Sequence, residues 1–240
     1  MASIQDSRGY NQGFKPSEAL SVRFERRCDR MLQHMIITPD TKVLELGCGI
    51  GELSHLVASK TQARVTGSDL NTDFISEANA KYHLKNLEFK TIELGSSNAF
   101  DEKENQYDYI IGNGILHHVY RELPAVLAQL RCSLRPGGKI IFWEPNIFNP
   151  YIFLIFKLSP LRQWAKLEPT EMAFSGGYIQ QKLKDCQFKN IMVKYSDFLL
   201  PNTPNKMVKA VAKASDFLDE MPGINRLAQS IFICAQKNTP

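Results

Sequence analysis

With 240 residues, 43% of them hydrophobic and 22% charged, the chain can bury one sizeable apolar core without covalent staples, and its ordinary composition argues against wholesale disorder and against a membrane-spanning protein. Its 29 Lys and Arg against 25 Asp and Glu give a formal charge of +4, scattered and not gathered into an arm or stripe, so no nucleic-acid partner is expected. The five cysteines, Cys28, Cys48, Cys132, Cys186 and Cys234, are odd in number, far apart and without a Cys-x-x-Cys pair, which fits a reducing compartment better than a disulfide scaffold or a zinc site.

Met1 to Asp6 shows no basic region leading into an apolar run, so no secretory signal is expected and the cytoplasm is the default location. Residues 1–40 read as a polar start followed by a helix from Glu18, capped by Ser17, with Leu20, Phe24, Met31 and Met35 as its apolar stripe; Thr38-Pro39-Asp40 ends it. Strands and helices then alternate. Strands are predicted at Lys42–Leu46, Arg64–Asp69, Leu87–Glu93, Tyr107–Gly112 and Lys139–Trp143, the last entered through a Gly137-Gly138 turn. Helices are predicted at Glu52–Lys60, Thr72–Leu84 and Leu123–Leu134. That rhythm means βαβ crossovers and a mostly parallel sheet covered on both faces, with 41–145 as its core.

After Trp143 four prolines, Pro145, Pro150, Pro160 and Pro169, interrupt the pattern around the apolar run Tyr151 to Phe156, and 146–175 reads as an insertion over the sheet edge. Within 176–240 the pattern predicts a helix at Tyr178–Asp185, a strand at Asn190–Leu199, a Pro- and Lys-containing connection through 201–228 and a last strand around Ser230–Ala235. One domain is expected.

The most informative stretch is Val43 to Gly51, a strand running into Gly47-Cys48-Gly49-Ile50-Gly51 and then a helix. Glycines let the backbone turn sharply and approach a ligand, and the helix start offers unpaired N–H groups. A nicotinamide fingerprint would place its third glycine at position 52, where Glu52 stands, so a nicotinamide oxidoreductase is disfavoured. Asp69 ends the next strand, where a carboxylate can accept from both hydroxyls of a ribose or simply cap the following helix; loop and carboxylate together point to a nucleoside.

Glu45-Leu46-Gly47-Cys48-Gly49-Ile50-Gly51 matches every fixed position of E/D-x-G-x-G-x-G, and the stretch resembles the class I S-adenosylmethionine-dependent methyltransferases. The resemblance runs through about 41–145, carried further by Asp69, Tyr107 to Ile111, Leu116-His117-His118-Val119 and Leu134-Arg135-Pro136-Gly137-Gly138. It implies a Rossmann-like, doubly wound, seven-stranded α/β fold with an N-terminal helix and an inserted lid. It further implies S-adenosylmethionine as cofactor, held by Glu45, Gly47, Cys48, Gly49 and Gly51 around the methionine part, Asp69 and Leu70 at the ribose and adenine edge, Glu93 and Leu94 near the adenine, and Asn113 at the amino-acid end. Glu93 stands where the family often has a shorter Asp.

Methyl transfer from a sulfonium is an in-line displacement that depends mostly on positioning. A hydroxyl acceptor benefits from a general base, for which His117 and His118 are candidates, His117 preferred because His118 aligns with a recurrent structural histidine of the family. Glu144, in Glu144-Pro145-Asn146 after the fifth strand, is a second candidate for acceptor binding and could equally cap the sheet. Neither histidine reads as a metal ligand, and His34, His55 and His83 lie on separate helices, so no metal is expected. Glu-Pro-Asn followed by Asn149-Pro150 is similar to methyltransferases of polyketide, polyprenyl or cell-surface glycan pathways. The expected function is methylation, on oxygen first, of a small or lipid-like acceptor, with C- or N-methylation and a non-catalytic cofactor-binding subunit as alternatives. Phe148, Tyr151, Phe153, Phe156 and Trp164 are expected to line an apolar acceptor pocket, or the run packs on the core; a third option sends Ile152, Phe153, Ile155 and Phe156, with Lys157 and Arg162, transiently into a membrane surface.

Overall fold

The computed structural model describes residues 17–92 and 107–239. Seven strands form one sheet: β1 (Lys42–Leu46), β2 (Arg64–Asp69), β3 (Leu87–Thr91), β4 (Tyr107–Asn113), β5 (Leu134–Pro145), β6 (Lys189–Ser196) and β7 (Ser230–Gln236), in the order β3-β2-β1-β4-β5-β7-β6. Every neighbouring pair up to β5 is parallel, and β7 runs antiparallel between β5 and β6. The carboxyl ends of β1 to β6 therefore share one edge of the sheet with the start of β7.

Period-two alternation assigns the strand side chains to two faces. Leu44, Leu46, Ile110, Ile140, Phe142, Ile231 and Ile233 pack under α4 (Leu123–Ser133) and α7 (Gly176–Asp185). Val43, Tyr109, Ile111, Ile141, Trp143 and Phe232 pack under α1 (Glu18–Leu32) and α2 (Glu52–Lys60). A third helix, α3 (Thr72–Lys81), closes the β2–β3 edge through Ile75 and Ala78 against Phe89. Ser17 caps α1 by accepting from Leu20 N at 3.1 Å.

Between Asn146 and Phe174 the chain leaves the sheet edge and returns to it: Asn146 bridges Phe174, and Ile147 N donates to Phe174 O at 2.9 Å. The excursion carries α5 (Pro150–Lys157), capped by Asn149, and α6 (Ser159–Trp164). Of the five aromatics expected to line a pocket there, Phe156 is buried, whereas Phe148, Tyr151, Phe153 and Trp164 are exposed.

Three local expectations change. The 201–228 connection contains a 15-residue helix, α8 (Asn205–Asp219), held against α1 by Val208 and Ala212 packing with Ala19 and Leu199. Val208 and Val211 lie three apart and Ala212 follows, so the helix was legible in its spacing even though prolines flank it. β5 begins at Leu134, before the glycine pair, because Leu134 already pairs with Tyr107 and the ladder shifts register between Tyr107 and Tyr109, absorbing the two glycines. β6 stops at Ser196 because Asp197 takes φ 82° and turns its carboxylate inward. Among the described residues no helix is long and apolar enough to cross a membrane.

Candidate active site

The tips of β1 and β2 are tied together. Gly49 N donates to Asp69 Oδ2 at 2.8 Å, Asn71 N donates to Asp69 Oδ1 at 2.9 Å, and Cys48 N donates to Ser68 O at 2.8 Å. Asp69 thus aims its carboxylate at the glycine loop while also fixing the start of α3. Gly47 adopts φ 64°, and a Cβ there would lie 2.6 Å from the Ile115 side chain, so this turn of the loop admits only glycine. Cys48 is buried and its thiol is pushed up by burial, which makes it part of the loop's packing and no nucleophile. Leu70 follows Asp69 and is 38% exposed at the same edge.

Glu45 packs its side chain under α2. It is 2% exposed, and its Oε2 accepts from Ser54 Oγ at 2.5 Å. Burial raises its carboxyl from an ordinary 4.5 to about 8, reinforced by Asp69 and Glu52, with Ser54 pulling the other way.

The segment after β4 is built around Glu144. Its Oε1 accepts from Ile115 N at 3.0 Å and Leu116 N at 2.7 Å, and its Oε2 accepts from His117 N at 3.2 Å and lies 2.9 Å from His117 Nδ1. Four donors fill the lone pairs of a carboxylate. Glu144, expected to bind the acceptor or cap the sheet, holds the 3₁₀ turn Leu116–Val119 and faces one imidazole. In the tautomer whose Nδ1–H donates to Glu144, the lone pair of His117 lies on Nε2, the form a general base requires.

His118 Nδ1 lies 3.2 Å from Glu171 Oε1, and Met172 N donates to His117 O at 3.2 Å, so the 146–174 excursion closes on the histidine turn. Phe156 meets His117 edge-on at 6.1 Å. Burial pushes the Glu171 carboxyl up, but His118 and His117 outweigh it and hold it below the usual range. His117, His118 and Glu171 place possible ligand atoms within 4.8 Å of one another, a grouping that sequence spacing did not suggest; His117 and His118 already face carboxylates.

Asn113, at the tip of β4, uses its side chain on α1: Arg27 Nη1 donates to Asn113 Oδ1 at 2.5 Å. Arg27 also lies 5.1 Å from the Trp143 ring centroid, and with Arg23 it clamps Asp197 at 2.6 and 2.5 Å. Burial would raise the Asp197 carboxyl, but the two guanidiniums outweigh it and hold it low. Sequence reasoning missed Arg23, Arg27, Ser54, Glu171 and Asp197. Two arginines four apart on the buried side of α1, with Ala19 and Met31, were the available signal for the first pair. Glu93 and Leu94 lie outside the described residues.

Residues 44–140 match the family described as a methyltransferase domain. Among relatives, the chain is 28% identical over 132 residues to the highly reducing polyketide synthase ACTTS3 of Alternaria alternata, covering 52% of this chain and 5% of that protein. It is 29% identical over 140 residues to phosphoethanolamine N-methyltransferase 1 of Arabidopsis thaliana, covering 58% and 27%. The chain spans a small part of the length of these relatives. Among solved structures, the CurJ carbon methyltransferase superposes with TM-score 0.63 at 21% identity over 95% of this chain and 57% of the other, a likeness of fold.

Proposed function

We propose that this chain, whose residues 44–140 match the methyltransferase-domain family, binds S-adenosylmethionine between the Gly47–Gly51 loop and Asp69 and methylates an acceptor that surrenders a proton to His117. The residues present fit that cofactor. The loop excludes a Cβ at Gly47, and a carboxylate already accepting from Gly49 N stands ready to accept from ribose hydroxyls. Bound there, S-adenosylmethionine supplies an electrophilic methyl carbon on a sulfonium. Asn113 offers backbone atoms toward the amino-acid end, and Glu45 forms a buried wall beside the loop, held by Ser54.

The observation that carries the reading is the His117–Glu144 contact of 2.9 Å. In the tautomer with the proton on Nδ1, facing Glu144, Nε2 takes the proton of the acceptor, with Phe156 edge-on to the ring. A hydroxyl of a small or lipid-like molecule is the first acceptor class. An acidic carbon is the second, favoured by the likeness to a carbon methyltransferase, and it needs the same base.

Calorimetry with S-adenosylhomocysteine tests the cofactor half. Wild type binds, and Asp69→Ala weakens binding by about 10- to 100-fold through loss of charge-assisted hydrogen bonds. Transfer of a ¹³C-methyl group into cell extract, with the product read by NMR as O–CH₃ or C–CH₃, tests the acceptor half. Absence of heat with wild type refutes the first; labelled product formed equally by His117→Ala refutes the second.

A further inference from the structure

The 148–164 segment exposes more apolar surface than the fold uses. On α5 the inner side is Ile155 and Phe156, packed with Ala173, so two of the residues expected to enter a membrane face the protein. The outer side is Tyr151, Phe153 and Leu154, continued by Leu158, at 51%, 47%, 44% and 46% exposure; Phe148 stands before the helix at 49% and Trp164 ends α6 at 71%. A helix apolar around its whole circumference belongs in a core or at a lipid boundary, and α5 is covered on one side only.

The charges along the segment itself are of one sign, with Glu168 following its end. From Pro145 to Leu167 the chain carries Lys157, Arg162 and Lys166 and no Asp or Glu. Arg162 is spent on the carbonyls of Phe156, Glu168 and Glu171, while Lys157 and Lys166 are exposed. The 3₁₀ turn Ile224–Leu227 is tied alongside, with Asn149 Nδ2 donating to Leu227 O at 2.6 Å and Asn146 Nδ2 to Arg226 O at 2.9 Å, and it adds the exposed Arg226. No acidic residue occurs from Met221 to Gln236 either.

We propose that this face docks onto a bilayer surface that contains anionic lipids, with α5 and α6 lying in the interfacial plane. Aromatic and leucine side chains enter the boundary between headgroups and acyl chains, and Lys157, Lys166 and Arg226 meet the anionic headgroups. Exposed Trp, Tyr and Phe beside lysines, without acids, is the composition of an interfacial helix, whereas protein interfaces are depleted of lysine. Docking places the bilayer on the outer side of the helix whose inner residue, Phe156, borders His117, which suits an acceptor held in the membrane. Binding is read without turnover, so docking and methyl transfer stand or fall separately.

The test is co-sedimentation of the full chain with vesicles of phosphatidylcholine alone and of phosphatidylcholine with an equal part of phosphatidylglycerol. Wild type sediments with the mixed vesicles, and the emission of exposed Trp164 shifts to the blue, the second tryptophan, Trp143, being buried already. Lys157→Gln with Lys166→Gln weakens binding to mixed vesicles about 25-fold, about fivefold per lysine. Leu154→Ser with Trp164→Ser weakens it by about tenfold or more. All four positions are exposed, and circular dichroism confirms the fold of each variant. Wild type remaining in the supernatant with mixed vesicles overturns the proposal, as does unchanged binding by both variants. Dissociation of a dimer by the Leu154/Trp164 variant in light scattering, with vesicle binding intact, assigns the face to a second copy and overturns it too.

Discussion

Replacing Glu45 by Gln isolates a carboxyl near the glycine loop whose ionisation the fold opposes. Moving it from 4.5 to about 8 by burial makes the folded state disfavour its anion by roughly 4–5 kcal/mol. The folded value is above the unfolded one, so the stability linked to the bound proton is fully present below about pH 4.5 and is lost as pH rises through about 8. A glutamine at 45 has nothing to ionise and can still accept from Ser54 Oγ. The assay is urea unfolding of wild type and Glu45→Gln at intervals from pH 4.5 to 9. The difference in stability, variant minus wild type, grows with pH by up to about 1.4 kcal/mol per pH unit and levels off beyond pH 8. Parallel curves over that range would refute the argument that Glu45 is buried as an acid.

His117→Ala lowers kcat by about 10²- to 10⁴-fold without weakening S-adenosylhomocysteine binding, measured by methyl-transfer kinetics beside calorimetry; an equal loss of both would make His117 a loop support only. Glu144→Gln leaves His117 present but misoriented, because an amide NH₂ replaces an acceptor in a set of four donors. It therefore lowers both kcat and the melting temperature, and a change in melting temperature alone would deny the orienting role. Asp197→Ala strands two buried guanidiniums and costs about 3–5 kcal/mol in urea unfolding, whereas a loss under about 1 kcal/mol would mean that water reaches Arg23 and Arg27 freely.

The cofactor side of the candidate site was legible because its determinants are local. Five strand residues, three glycines and a helix start are contiguous from Lys42 to Lys60, and Asp69 follows at the end of the next strand, so parallel pairing of β1 and β2 brings the two tips together. The Ser17 cap of α1 was legible for the same reason, being a contact three residues long. The acceptor side was less so. His117 and Glu144 were both sequence candidates, but their pairing was not legible, since Glu144 lies 27 residues away and reaches His117 only through the β4–β5 register. Helix α8 was missed although its apolar residues recur at helical spacing, and it is held in place by packing against α1.

By itself the amino-acid sequence determined the alternation of strands and helices, the glycine loop with its facing carboxylate, and so the class of fold, since each follows from short-range periodicity and backbone sterics. Only the tertiary structure decided that β7 enters antiparallel between β5 and β6, that Asp197 is gripped by Arg27 and Arg23 from 170 and 174 residues away, and that α5 keeps one apolar side in solvent. Those outcomes depend on which distant surfaces meet, and side-chain periodicity within a segment records that a face is apolar without recording what will cover it.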